Sequence, residues 1–231
     1  MVTATRCVYS NPNVVIHHDE NGMFSIRAKT DLDIGSMVVV EHVYSGTFIE
    51  MNALLILDDK LRRSLYPRCA LDQDNALDVT KNAMKISLNA FGFGEDMVIG
   101  NYVCKFNHAC KPNAYMNCVN QVNNTKFYGV WTVAKVKQGD ELTLDYINGH
   151  SEYHDTMKEQ HGFTCSCTKK DLDGARGRAK IELSLATKFT RNNTTLLDKM
   201  VDIHCHRWDP EMHKAHKKVR DFAKNNIRAP N

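Results

Sequence analysis

The stretch FNHACKPN at residues 106–113 places two amides, a histidine, a cysteine, a lysine and a proline within eight positions. Three chemistries suit that inventory. His108 and Cys110 could act as base and nucleophile, but they lie two residues apart on an irregular segment, with no third group placed to orient the base. Cys110 could instead ligate a metal together with other thiols or imidazoles. In the third reading the backbone is the working part: Pro112 stiffens a sharp turn, and Asn107 and Asn113 brace the loop through their amides. Further donors lie in Phe163-Thr-Cys-Ser-Cys167 and in His204-Cys205-His206. Cys165 and Cys167 are too closely spaced to form a common zinc knuckle alone.

The elements that must position these residues come from the apolar pattern. Residues 23–49 carry short β-branched runs broken by Asp and by Gly35, which predicts a strand, a turn over Asp31–Gly35 and a strand through Met37–Glu41. Leu54, Leu57, Leu61 and Leu65 have helical spacing, and Pro67 closes that helix. A second helix is expected over Val79–Leu88, followed by a turn in the FGFG run at 91–94. Strands are expected at Phe127–Val133 and Glu141–Ile147, joined by the turn Lys137–Asp140. A short polar helix is expected over 151–161, and the chain turns helical again from Ala175. In the last helix Ala215, Val219, Phe222 and Ala223 form one apolar stripe. The outline is α+β, a β-rich core with a helical insertion and a helical tail.

Composition narrows the class. Over 231 residues, 42% are hydrophobic and 25% charged, an ordinary balance for a globular chain. No apolar run is long enough to span a membrane. The first residues, MVTATRCVYSNPNVV, lack the basic start and apolar block of a secretory signal. The eight cysteines are therefore expected as reduced thiols or metal ligands, and the protein as intracellular, in the nucleus, the cytoplasm or both. The net charge of +3 is uneven: from Lys180 onward 11 Lys and Arg meet 6 Asp and Glu, a local +5 that leaves residues 1–179 at −2. Those tail cations are dispersed, which favours a solvated helical face over a nucleic-acid contact.

Three motifs in order then suggest a family. Asn107-His-Ala-Cys-Lys-Pro-Asn113 resembles the NHSCxPN of the SET-domain protein lysine methyltransferases, with Ala109 in place of Ser. Gly139-Asp-Glu-Leu-Thr-Leu-Asp-Tyr146 resembles their GEELTxxY, and Phe163 to Cys167 their post-SET FxCxC. Residues 20–42 and Asn89-Ala-Phe-Gly92 look like two further family segments, and residues 146–167 are similar to the SMYD-like branch without its MYND finger.

The resemblance implies a fold of small sheets with a threaded pseudoknot. It places a SET domain over residues 1–168, with a helical insertion at about 50–88 and a post-SET segment at about 161–168. A helical extension covers 169–231. It also implies S-adenosylmethionine as cofactor, held by Ser25, Arg27, Asn107, His108, Tyr146 and Phe163. Tyr146 would be the catalytic tyrosine, and Tyr102 and Tyr115 would line the lysine channel or simply pack. The substrate would be a lysine on a protein, a histone tail or a non-histone protein. Zinc would sit on Cys110, Cys165 and Cys167; a fourth ligand would come from Cys205 or a neighbouring histidine, since Lys170 and Leu172 stand where the family's third post-SET cysteine falls. A site without metal is the alternative. Two departures matter: Met23 and Ser25 replace both glycines of the family's GxG. They motivate a rival reading, a catalytically weak SET fold serving as an interaction module. A zinc-dependent nucleic-acid-binding protein is the second rival, weakened by the lack of paired CxxC sites.

Overall fold

Buried β-branched residues dictate the central strand. Met37–Gly46 (β4) is buried along nearly its whole length, including Val38, Val39, Val40, Val43 and Tyr44, so both of its faces must be covered. The computed structural model describes residues 5–20, 23–65, 78–92, 97–122, 125–147, 157, 163–165, 167 and 175–227, without the side chains of 78–80, 122, 125, 176, 203–210 and 212. Arg6–Ser10 (β1), Val14–His18 (β2) and Phe24–Ala28 (β3) precede β4; Met97–Ile99 (β5), Asn107–His108 (β6), Ala114–Val122 (β7), Thr125–Thr132 (β8) and Glu141–Leu144 (β9) come after it.

One sheet runs β1-β4-β8-β7, with β5 pairing β4; the other runs β2-β3-β9-β6. Within the second sheet β6 is parallel to β9, Asn107 opposite Thr143 and His108 opposite Leu144. That pairing brings the octapeptide against the GDELTLDY motif, some 30 residues away in sequence. Gly35 and Gly139, each in the expected turns, take φ of 87° and 88°, a region that a side chain disfavours.

The insertion consists of Phe48–Leu57 (α1), Asp59–Ser64 (α2) and Asp78–Asn89 (α3). The single helix expected through Leu54–Leu65 is in fact two. Asp58 ends α1, its N–H donating to the Leu54 carbonyl at 2.7 Å, and starts α2, its carboxylate accepting from Leu61 N at 2.9 Å. The leucine spacing continues across that break, which is why periodicity alone missed it. The strands β1, β2 and β7 were not expected either, and β9 ends at Leu144, three residues before the expected limit. Residues 93–96, which include the end of the FGFG turn, and the polar helix over 151–161 apart from Met157, lie outside the described residues.

Ala175–Asn192 (α4) and Thr194–Asn226 (α5) complete the chain. No described helix is long and apolar enough to cross a membrane. Val219 and Ala223 of the expected stripe are buried in the main core, with Ala215 and Phe222 packed against it. Ala186 of α4 and Leu197 of α5 form a second core with Val40 and Trp131. The helical extension thus shares its cores with both faces of the β1-β4-β8-β7 sheet.

Candidate active site

Two buried charges set the entry to the octapeptide. Glu41 is fully buried on β4, and its carboxylate accepts the N–H groups of Asn101, Tyr102 and Val103 at 2.6, 2.9 and 2.9 Å. These are the donors left over at the start of the 3-10 turn Val103–Lys105. Burial pushes the Glu41 carboxyl above its usual range, against the three backbone donors and Lys105, which favour the charged form. Gly100 is required beside it, since a Cβ there would sit 2.7 Å from Glu41 Oε2. Lys105 Nζ donates to Asn101 O at 2.5 Å, Asn101 Oδ1 at 3.0 Å and Ser64 O at 3.2 Å, and lies 4.8 Å from the Phe24 ring centroid. Burial lowers its pKa, a shift opposed by Cys104 and Glu41.

Both asparagines of the octapeptide brace backbone. Asn107 Nδ2 donates to Phe24 O at 2.9 Å and Glu141 Oε1 at 2.6 Å, tying β6 to β3 and β9. Asn113 Nδ2 donates to Glu141 O at 2.8 Å while its Oδ1 accepts from Thr143 N at 2.9 Å. Both amides are thus committed to bracing the loop against β3 and β9.

His108 joins three parts of the site. Its Nδ1 accepts the Tyr146 N–H at 3.1 Å, so the proton of the neutral ring sits on Nε2, 3.1 Å from Cys110 Sγ. Asp145 Oδ1 is 3.9 Å from Nδ1, near enough to be an orienting acid, but Nδ1 faces a backbone donor instead. That geometry argues against a Cys–His–Asp nucleophile. His108 is packed between the rings of Tyr146 (5.3 Å) and Phe163 (6.1 Å). The Tyr146 hydroxyl donates to the Phe106 carbonyl in a short hydrogen bond, and Phe91 meets its ring edge-on. With its hydrogen fixed there, the hydroxyl oxygen retains acceptor lone pairs for another partner.

Tyr146 and Tyr115 line one cavity of about 380 Å³, with Phe91, Met116, Tyr128 and Asp145. Asp145 is the single charged residue among its described lining, which includes no cation. Tyr102 does not belong to this cavity. It lines a separate one of about 310 Å³ with Val14, Ile16 and Phe106, and its N–H is held by Glu41. The Tyr115 hydroxyl is shifted up, first by burial, then by the negative charges of Glu182 and Asp145. Sequence reasoning missed Glu182, which lies on α4 outside the recognised motifs and whose charge acts on Tyr115.

The remaining expected residues divide. Ser25 is buried in regular strand β3 opposite His17, so no positive φ calls for a glycine in Phe24-Ser25. Arg27 donates from Nη1 to Gly139 O at 3.0 Å, anchoring the turn before β9. Cys110 and Cys165 have sulfurs 3.7 Å apart, and Cys167 packs in the same cluster with Phe163. Tetrahedral zinc with bonds of about 2.3 Å separates thiolates by about 3.8 Å, so this pair fits a shared ion. His108, Cys110 and Cys165 present ligand atoms within 4.8 Å of one another, although the Nε2 proton makes His108 a donor to the Cys110 sulfur. Burial pushes the Cys110 thiol up, with Cys167 and Cys165 adding to it. The side chains of His204, Cys205 and His206 lie outside the described residues.

Comparison with known proteins agrees with this geometry. The SET domain family model matches residues 23–147, over half of the chain. The chain belongs to the SET-domain family. It is 25% identical over 209 residues to a SET domain-containing protein of Acanthamoeba polyphaga mimivirus, covering 85% of this chain and 62% of that one. A SET and MYND domain-containing protein of Dictyostelium discoideum is 40% identical over 83 residues, 33% of this chain and 15% of its own length. The chain spans less than two thirds of the length of these curated relatives. Among solved structures, one described as a histone methyltransferase of Plasmodium falciparum superposes with a TM-score of 0.36 at 11% identity, over 59% of this chain and 94% of the other.

Proposed function

We propose that this chain is a protein-lysine N-methyltransferase that uses S-adenosylmethionine. The observation that supports the reading best is the cavity in which Tyr146, its hydroxyl hydrogen committed to Phe106 O, stands among Phe91, Tyr115, Met116 and Tyr128. A lysine side chain suits that shape: an aliphatic stem against aromatic and thioether walls, and an amine that donates to the Tyr146 oxygen. Lysine titrates near 10.4 in water, and an apolar channel disfavours its charged form, which prepares a neutral nucleophile. Orientation and exclusion of water then supply most of the barrier lowering for an in-line transfer.

S-adenosylmethionine would supply the methyl group, and Ser25, Asn107, His108 and Phe163 would hold it. The residues fit such a group: the tilted His108 and Phe163 rings make an aromatic wall, and the braced β6 leaves main-chain polar groups to face a ligand. Cys110, Cys165 and Cys167 would hold a structural zinc that fixes Phe163, with Cys205 as fourth ligand. The substrate would be a lysine of an extended protein segment, a histone tail being compatible with the −2 charge of residues 1–179.

The test is methyl transfer from labelled S-adenosylmethionine to core histones and to peptides carrying lysine, beside Tyr146→Phe. Transfer is expected in the native protein and reduced at least about hundredfold in the variant, with cofactor affinity by calorimetry retained. A native protein that binds no S-adenosylmethionine overturns the reading.

A further inference from the structure

Lys105 is a buried cation one residue ahead of the octapeptide, and its contacts converge on β3. It is 5% exposed, and its ammonium donates to Asn101 O and Oδ1 before the 3-10 turn and to Ser64 O at the end of α2. It also lies over the Phe24 ring, 4.8 Å from the centroid. Among the described residues none of its hydrogen-bond partners is a carboxylate. An apolar side chain of the same length would fill that space without the cost of burying a charge. Two positions on, Asn107 Nδ2 donates to the Phe24 carbonyl at 2.9 Å, so residues 105 and 107 hold the ring and the main chain of the same residue. His18, opposite Phe24 across β2 and β3, adds a near-perpendicular ring contact at 4.1 Å. Met23, just before, is tied to Asp19 at both main-chain groups: its N–H donates to Asp19 Oδ1 at 2.6 Å, and its carbonyl accepts from Asp19 N at 3.0 Å.

We propose that Lys105 is a positioning residue for the cofactor: by clamping the Phe24 ring it fixes the main chain of Met23–Ser25, the segment in which both GxG glycines are replaced. The inference rests on the methyltransferase reading and deepens it. Glycine lets a backbone adjust to a ligand and approach it closely. A strand without glycine has to be held at a preset place, because a misplacement of about 1 Å is costly in a site that works by positioning. Asp19 and Asn107 set the main chain of Met23 and Phe24, and the ammonium sets the ring. A cation over a π face specifies where the ring lies, which an apolar neighbour would not do. Side chains alternate along β3, so Ser25 projects from the face opposite the Phe24 ring. Any rotation of the strand that frees the ring therefore turns Ser25, one of the residues assigned to the cofactor. The bonds to Asn101 and Ser64 anchor the clamp to the 3-10 turn and to the insertion.

The experiment is a double-mutant cycle read in cofactor affinity. Native protein, Lys105→Met, Phe24→Leu and the double variant are compared by calorimetry with S-adenosylmethionine, and by kcat and KM for methyl transfer to core histones. Met keeps the length of the lysine, and Leu keeps apolar bulk without a ring. For Lys105→Met we expect the S-adenosylmethionine Kd to rise about tenfold, with histone KM and kcat at saturating cofactor within about threefold of native. Phe24→Leu should weaken the cofactor to a similar degree, and the double variant should stay within about twofold of the weaker single, because each change removes the same contact. Single effects that multiply in the double variant, native affinity in Lys105→Met, or a histone KM that rises as much as the cofactor Kd overturns the proposal while leaving the methyltransferase reading intact. If circular dichroism shows Lys105→Met unfolded, Phe24→Leu decides alone: an about tenfold loss of cofactor affinity with histone KM held supports the proposal, and native affinity overturns it. A native protein that binds no S-adenosylmethionine overturns both.

Discussion

Glu182→Gln should stabilise this protein at high pH and not at low pH. Burial, with the neighbouring Asp145 charge added and Arg178 opposing, raises the Glu182 carboxyl from 4.5 to about 7. The folded state therefore holds the proton more tightly than the unfolded chain. Below about 4.5 both states are protonated, and the group is neutral in its effect on the pH dependence of stability. As pH rises from there towards 7 the unfolded chain ionises first, and the native fold loses stability until both have ionised. The shift from 4.5 to about 7, discounted for the solvent that still reaches this half-buried carboxylate, amounts to on the order of 1–2 kcal/mol of destabilisation above pH 7. At ~2–4 °C per kcal/mol for a chain of this size, that is a shift on the order of 5 °C. Gln at this position has no such dependence, although its unpaired amide carries a constant cost of about 1 kcal/mol. Thermal denaturation monitored by circular dichroism at about pH 5 and about pH 8, on either side of most of that transition, should show the variant gaining on the native protein by several degrees between the two. A gap that is the same at both values, or one that closes as pH rises, refutes a raised Glu182.

Two further outcomes concern the braces and the thiols. Asn113→Ala removes a donor to Glu141 O and an acceptor from Thr143 N, leaving two β9 groups without partners. The expected loss is about 2–3 kcal/mol in urea denaturation, and a loss under about 0.5 kcal/mol would show that the brace is dispensable. For the thiols, metal analysis of protein purified without chelator should find one zinc per chain, lost in Cys165→Ser. Cys205→Ser should lose it too if that residue is the fourth ligand, and native protein without zinc sinks the metal site.

Legibility in the sequence depended on how local each signal was. The octapeptide could be read because its amides, proline and spacing to GDELTLDY lie within the chain's own order, whereas the pairing of Asn107–His108 with β9 is set by the fold. Gly35 and Gly139 marked their turns through backbone freedom, a property of one residue. Strand β7 was missed because AYMNCVNQV mixes polar and apolar residues without clean alternation; its place in the sheet is set by its partner β8 rather than by its own pattern. The division between α1 and α2 was missed because Asp58 interrupts the backbone while leaving the leucine stripe in phase. Tyr102 and Tyr115 looked equivalent beside the octapeptide, but Tyr115 belongs to β7 and Tyr102 precedes the 3-10 turn, and they line different cavities.

Glu182 is the instructive omission, because a signal for it existed. Ala175, Ala179, Glu182 and Ala186 have the four-three-four spacing of a buried helical face, and an acid in such a register is a buried acid. The motif logic stopped at residue 168 and treated the remaining residues as a tail. Yet Ala186 and Leu197 enclose Trp131 and Val40 in the second core, with Tyr115 packed against it, so α4 is seated by the sheet that carries Tyr115. Seating matters electrostatically: a carboxylate acts strongly on a nearby tyrosine only if neither can move into water, where the same pair would interact several times more weakly. The small alanines on either side of Glu182 let α4 approach β7 closely enough to bury it. Packing of the extension and the charge felt by Tyr115 are thus one feature, and neither could be kept if α4 were free to leave the sheet.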